Sequence, residues 1–206
     1  MGRQQQHEAA ICRFIRGVPD ALYDIGVGHK TEWHTLSQRY PTMKVFGCEP
    51  HPGQHATLLK KGFPGQLARV AIGQDEGTAV LHVPSKDLMC CSLFPVPYAD
   101  DSCEVEVWTL DRFDEHAGQP DRILLWIDIE GSELAAFRSG GRLLQSGRVR
   151  WINLEERRDG HCPAAGWADP QMVHGCLTGY GYVRVASYNR HSTHQDAIYI
   201  HNKEQR

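Results

Sequence analysis

Short apolar runs alternate with amphipathic stretches along the chain, the pattern of helices packed on a mostly parallel sheet in an α/β fold. A first helix is predicted over 8–16, stopping near Gly17 and Pro19. "ALYDIG" then reads as a strand, "EWHTLSQRY" as a helix and "MKVFGCEP" as a second strand. "PGQHATLLKKG" suits a helix closed by Gly62, and "GQLARVAIG" a third strand. Over 73–111 the period changes: "GTAVLHV" and "CEVEVWTLD" alternate apolar and polar positions around a loop rich in proline and cysteine. These half-exposed strands predict a small antiparallel β insertion. "RILLWIDIE" returns to a continuous apolar run, as a fourth core strand; "SELAAFRSGGRLLQS" follows as a helix and "VRWINLEE" as a fifth strand. "DPQMVHGCLTGYG" reads as a helix, with Asp169 able to cap it and Pro170 suited to its first position. "YVRVASYN" and "DAIYIHN", joined by "RHSTHQ", predict a terminal antiparallel hairpin.

Composition narrows the class. A chain of 206 residues, 41% hydrophobic and 23% charged, suits one globular domain over 1–206. No apolar run approaches the ~18 residues of a membrane span, and "MGRQQQHEAAICRF" lacks a secretory apolar core, so a cytoplasmic protein is expected. A net charge of −3 gives no general attraction to nucleic acid, and no nucleic-acid partner is expected. The seven cysteines are scattered, with no Cys-x-x-Cys spacing, which points to reduced thiols rather than a disulfide framework or zinc ribbon. In "HSTH", His191 and His194 lie three apart but in no helical pattern, so they read as solvated loop histidines rather than metal ligands. Oligomeric state is left open.

Candidate chemistry begins at "DIGVGHKTEW", a glycine turn between a strand and a helix, where a backbone can approach a nucleotide closely. Gly26 and Gly28 are placed against a cofactor, and Asp24 at the strand end can accept a hydrogen bond from it. Glu49 follows Gly28 by 21 residues and ends the second strand, the position from which an acid bridges two ribose hydroxyls. The third glycine of a dinucleotide fingerprint would fall at Thr31, which argues against a pyrophosphate site. "YPTMK" has the Tyr-x-x-x-Lys spacing of short-chain dehydrogenases, but Pro41 keeps Tyr40 and Lys44 off a common helical face.

"LLWIDIEGSEL" poses the sharper question, because a buried-looking strand ends in two acids, Asp128 and Glu130. If the strand persisted, both would lie on one side, and burying two like charges side by side is unfavourable. A polar cleft at the strand end or a bound divalent cation would account for them. Helix capping by Glu130 and Glu133 near Gly131 is the structural alternative.

Taken in order, these motifs resemble the FkbM-type family of S-adenosylmethionine-dependent methyltransferases. "DIGVG" is similar to its glycine loop, "CEPHP" to its Glu-Pro motif, "VAIGQDEG" to the segment after its third strand and "VEVWTLDRF" to the strand before its Leu-Asp pair. "IDIEGSELAAFRSG" resembles its Asp-x-Glu-Gly-x-Glu block, the most specific of the five. Gly28 stands where the family commonly has asparagine, and Lys30 where a further glycine is usual. The resemblance implies a doubly wound, seven-stranded Rossmann-like methyltransferase sheet whose last two strands pair antiparallel. It implies S-adenosylmethionine as cofactor, held by Asp24, Gly26, Gly28, Glu49, Pro50, Ala71 and Asp128, and methyl transfer to a hydroxyl on a sugar, glycoconjugate or secondary metabolite. Asp128, Glu130 and Glu155 are the candidate catalytic acids, as base or as ligands of a divalent cation; Glu156, His29 and His51 are nearby. Two competing readings are a metal-dependent glycosyltransferase built on the Asp-x-Glu motif, which has no use for the glycine loop or Glu49, and an inactive nucleoside-binding domain.

Overall fold

The computed structural model describes residues 10–28, 32–157, 166–167, 169–188 and 191–204, with 32–34 described as backbone alone. The elements run β1 (Ala21–Ile25), α1 (Glu32–Arg39), β2 (Lys44–Cys48), α2 (Pro52–Lys60), β3 (Gln66–Ala68), β4 (Ala71–Ile72) and β5 (Gly77–Val83). After a 3-10 turn at Leu88–Cys90 come β6 (Asp101–Trp108), α3 (Leu110–His116), β7 (Ile123–Ile127), α4 (Glu133–Ser139) and α5 (Gly141–Ser146). β8 (Val149–Arg157), α6 (Pro170–Gly179), β9 (Tyr182–Tyr188) and β10 (His194–His201) complete them.

β1 and β7 are five residues each and buried throughout, because helices cover both faces of the sheet they share. Tyr23, Ile25, Leu125 and Ile127 pack with Phe113 of α3, Phe137 of α4 and Leu177 of α6. On the opposite face, Leu22, Leu124 and Trp126 pack with Leu36 of α1, Leu58 of α2 and the fully buried Trp151. The result is a doubly wound seven-stranded sheet in the order β3-β2-β1-β7-β8-β10-β9, with β10 antiparallel to both neighbours. From β1 the chain winds outward through β2 and β3, then returns to β7 and winds the other way, so the crevice at the carboxyl ends of β1 and β7 is the switch point where ligands bind in such sheets.

The insertion forms a second sheet, β4-β6-β5. β5 and β6 pair antiparallel as expected, but β4 joins β6 in parallel. This corrects the single third strand expected in "GQLARVAIG": Gln66–Ala68 pairs with β2, and after Arg69 and Val70 the chain crosses to the other sheet. A second correction concerns 109–117, where the strand stops at Trp108 and a helix follows. Thr109 caps α3 by accepting from the Arg112 N–H at 3.1 Å, and Leu110, Phe113 and Ala117 recur at helical spacing into the core. Asp111, of the Leu-Asp pair, accepts from the Arg142 and Leu143 N–H groups and so ties α3 to the start of α5. The helix expected over 132–146 is broken at Gly140 into α4 and α5. Of the predicted first helix, 8–9 lie outside the described residues, 10–12 are helical, and turns follow at 13–14. Asp169 and Pro170 occupy the cap and first position of α6, where Asp169 accepts from the Gln171 N–H at 2.7 Å. No helix among the described residues is long and apolar enough to cross a membrane.

Candidate active site

The glycine turn after β1 is pinned on two sides. Gly26 and Val27 donate to the Cys48 carbonyl at 3.2 Å, and Asp128 donates to the Ile25 carbonyl at 3.0 Å. Gly26 sits at φ +84°, and a Cβ there would collide with the Asp128 carbonyl. A glycine is therefore what lets the end of β7 close onto the end of β1.

A cleft of about 550 Å³ opens at this junction. Gly26, Gly28, Glu49, Pro50, Ala71 and Asp128 all line it, six of the seven positions assigned to a cofactor from sequence. Asp24 does not line it; it is buried in β1, on the face opposite Tyr23 and Ile25. Glu49 is 4% exposed and accepts from the Gly28 and His51 N–H groups, each at 2.8 Å. Burial pushes its carboxyl up to about 7, and those two N–H groups hold it from going higher. The side chains that sequence reasoning missed include Gln54 and Ser132. Gln54 donates to the Leu88 carbonyl at 2.6 Å, holding the 3-10 turn over the cleft, and Met89 of that turn packs against Gly28. Ser132 is 2% exposed, lines the cleft, and its hydroxyl has no hydrogen-bond partner among the described residues. As the variable position of the Asp-x-Glu-Gly-x-Glu block, it was the one polar neighbour that the motif did not mark.

The first two acids of that block, Asp128 and Glu130, meet, though not by strand alternation. β7 ends at Ile127, and Glu130 adopts φ +49°, an uncommon conformation for a non-glycine residue. Ser92 holds this turn by donating to the Glu130 carbonyl at 2.7 Å. Asp128, Glu130 and Glu155 each bring a carboxylate oxygen to within 4.8 Å of the others. Glu130 pairs with Arg157 at 2.5 Å; burial and then the Asp128 charge push its carboxyl up to about 8, against the pull of that guanidinium. Neither Glu130 nor Glu133 caps α4, whose N-cap Ser132 makes no side-chain cap hydrogen bond; Glu133 instead accepts from the Ile129 and Gly131 N–H groups of the preceding turn at 3.1–3.2 Å and is itself pushed up to about 7 by burial.

Glu156 alternates with Glu155 along β8 and is not one of the three clustered acids, yet it lines the same small cavity beside them. Its carboxylate accepts from Gln195 at 2.7 Å and pairs with Arg184. His51 caps α2, its Nδ1 accepting from the Gln54 N–H at 3.2 Å. His29 lies outside the described residues, as do Lys30 and Thr31. The rings of His191 and His194 stack at 4.4 Å.

Solved structures share this architecture. A precorrin-6y C5,15-methyltransferase from Geobacter metallireducens superposes with a TM-score of 0.53 at 15% identity, covering 96% of this chain and 88% of that one. A protein of the NADB-Rossmann superfamily from Streptococcus agalactiae gives 0.52 at 11% identity, over 98% and 68%. A tRNA methyltransferase from B. subtilis gives 0.51 at 11% identity, over 98% and 67%. At these identities the likeness is one of fold. No curated protein matches the sequence. The methyltransferase FkbM domain, however, matches residues 24–183, from the end of β1 into β9 and across every motif of the cleft. The chain thus belongs to the FkbM family and is an S-adenosylmethionine-dependent methyltransferase.

Proposed function

We propose that this chain, acting as one domain over 1–206, methylates a hydroxyl oxygen on a small molecule or glycan. The observation that carries the reading is the shared wall between the cofactor cleft and the acid group: Asp128 and Glu130 line the 550 Å³ cleft and also a smaller chamber of about 180 Å³ with Glu155 and Arg157. The cleft suits the cofactor, with Gly26 and Gly28 in its lining, a buried carboxylate at Glu49 and a Ser132 hydroxyl that has no hydrogen-bond partner among the described residues. When bound, S-adenosylmethionine supplies an electrophilic methyl group on a sulfonium. Glu49 accepts from the ribose hydroxyls, and Pro50 and Ala71 line the adjoining wall.

Methyl transfer needs the acceptor oxygen aligned in line and relieved of its proton. One carboxylate of the Asp128–Glu155 pair receives that proton as the O–H bond breaks and the O–CH₃ bond forms, while the S–CH₃ bonding pair stays on sulfur. Arg157, paired with Glu130, offsets part of the negative charge of the group. Three carboxylates this close also suit a divalent cation, which would lower the acceptor's pKa and relieve their repulsion. The net charge of −3 favours an acceptor other than nucleic acid.

Calorimetric titration with S-adenosylhomocysteine, NAD and a UDP-sugar tests the cofactor; binding of NAD or the UDP-sugar in place of S-adenosylhomocysteine would overturn the assignment. Asp128→Asn and Glu155→Gln should each lower turnover by roughly 10²- to 10⁴-fold. A chelator should lower it only if the cation takes part.

A further inference from the structure

Trp167 belongs to none of the motifs, yet it is 8% exposed and its indole N–H has no hydrogen-bond partner among the described residues. Buried N–H groups are almost always paired, and one without a protein partner is satisfied by ordered water or by a group that a ligand brings. The ring is packed against two neighbours. One face lies on Gly131, at φ +101°, where a Cβ would collide with it, and the Arg157 guanidinium lies over the ring at 4.7 Å. Arg157 is in turn fixed by Glu130 at 2.5 Å.

Trp167 lines the 180 Å³ chamber that holds Asp128, Glu130 and Glu155, and also an adjoining cavity of about 250 Å³ that shares Glu155 and Arg157 with it. Ionised carboxylates only accept hydrogen bonds, and an indole N–H only donates. A hydroxyl does both, so one O–H group satisfies the indole and a carboxylate together. A metal cation would leave the indole unsatisfied. Arg157 also borders a cavity of about 1150 Å³ lined by Tyr98, Lys86 and Asp87, which gives the rest of an acceptor molecule room outside the chamber.

We propose that Trp167 is an acceptor-positioning residue, whose indole N–H seats the reacting hydroxyl oxygen against Asp128 and Glu155. This rests on the methyl-transfer reading above and adds to it the group that orients the acceptor. The oxygen accepts from the indole through one lone pair, gives its proton to a carboxylate and keeps another lone pair for the incoming methyl group.

The test uses the full chain with its tryptophan indoles labelled with ¹⁵N. There are five tryptophans, and Trp167→Phe identifies the signal of interest while keeping an aromatic ring between Gly131 and Arg157. In protein saturated with S-adenosylhomocysteine, glycerol and methyl α-glucopyranoside are titrated as hydroxyl probes. The Trp167 indole proton should move downfield saturably while the others stay in place. Slow methylation of the same probes by S-adenosylmethionine should fall about 10-fold in Trp167→Phe, the worth of one hydrogen bond, with S-adenosylhomocysteine affinity unchanged. A Trp167 signal that neither probe moves saturably overturns the proposal, as does methylation by Trp167→Phe at the wild-type rate. The titration is made on the wild-type chain and so remains decisive even if the variant folds poorly, since the other four Trp→Phe variants assign the signal by elimination. Failure of S-adenosylhomocysteine to bind is a separate result, which removes the cofactor assignment and this proposal with it.

Discussion

Replacing Glu49 by Gln removes one charge from the wall of the cleft proposed for the cofactor and keeps the length of the side chain. A carboxylate offers about four lone-pair sites, and here the Gly28 and His51 N–H groups take two, at 2.8 Å each. The remaining two are available to ribose hydroxyls. A hydrogen bond to a charged acceptor contributes about 1.5–3 kcal/mol, so S-adenosylhomocysteine should bind Glu49→Gln roughly 10- to 150-fold more weakly near pH 8. Because burial raises the Glu49 carboxyl to about 7, the wild-type side chain itself becomes neutral in mild acid. Its advantage over Gln should therefore shrink steadily below that pH and be nearly gone at about pH 5.5. Calorimetry on both proteins at several pH values, with melting temperatures as a check on folding, reads this directly. Equal affinities near pH 8, or a ratio that does not change with pH, would refute the ribose assignment and the charge argument respectively.

The same burial affects the stability of the free protein. Glu49, Glu130 and Glu133 are raised from 4.5 to about 7, 8 and 7, so across that window the folded chain binds more protons than the unfolded one. Their contribution is full below about pH 4.5 and is lost as pH rises through the folded values, so the melting temperature without cofactor should fall between about pH 5 and 8; a rise over that range would contradict the reading. Gly131→Ala should destabilise by about 3 kcal/mol, from a strained φ of +101° and a Cβ forced into Trp167. A thermal melt within about 1 °C of wild type would show that the indole does not rest against Gly131.

What the sequence by itself determined is the local architecture and the order of the motifs. "ILLWI" lacks alternation because both of its faces are covered, and the closing hairpin could be read from two strands and the turn residues between them. Asp169 and Pro170 marked the start of α6 through backbone chemistry that needs no distant partner. Gly26, Glu49 and Asp128 stood out because a tight strand-to-helix turn demands glycine and because an acid at the end of an apolar strand is unusual; the structure sets all three on one cleft. Tertiary structure decided which partners those residues meet. Nothing local says that Ala71 and Ile72 leave the main sheet for β6, since edge pairing is settled by the strand that arrives later in the chain. Glu130 reaches Arg157 across 27 residues through a left-handed turn that no periodicity encodes, while Glu133 closes that turn by accepting from the Ile129 and Gly131 N–H groups, so neither takes the helix-capping role. Trp167 could only be placed by packing: whether a buried indole finds a partner depends on the long-range geometry that puts Gly131, Arg157 and the carboxylates around it.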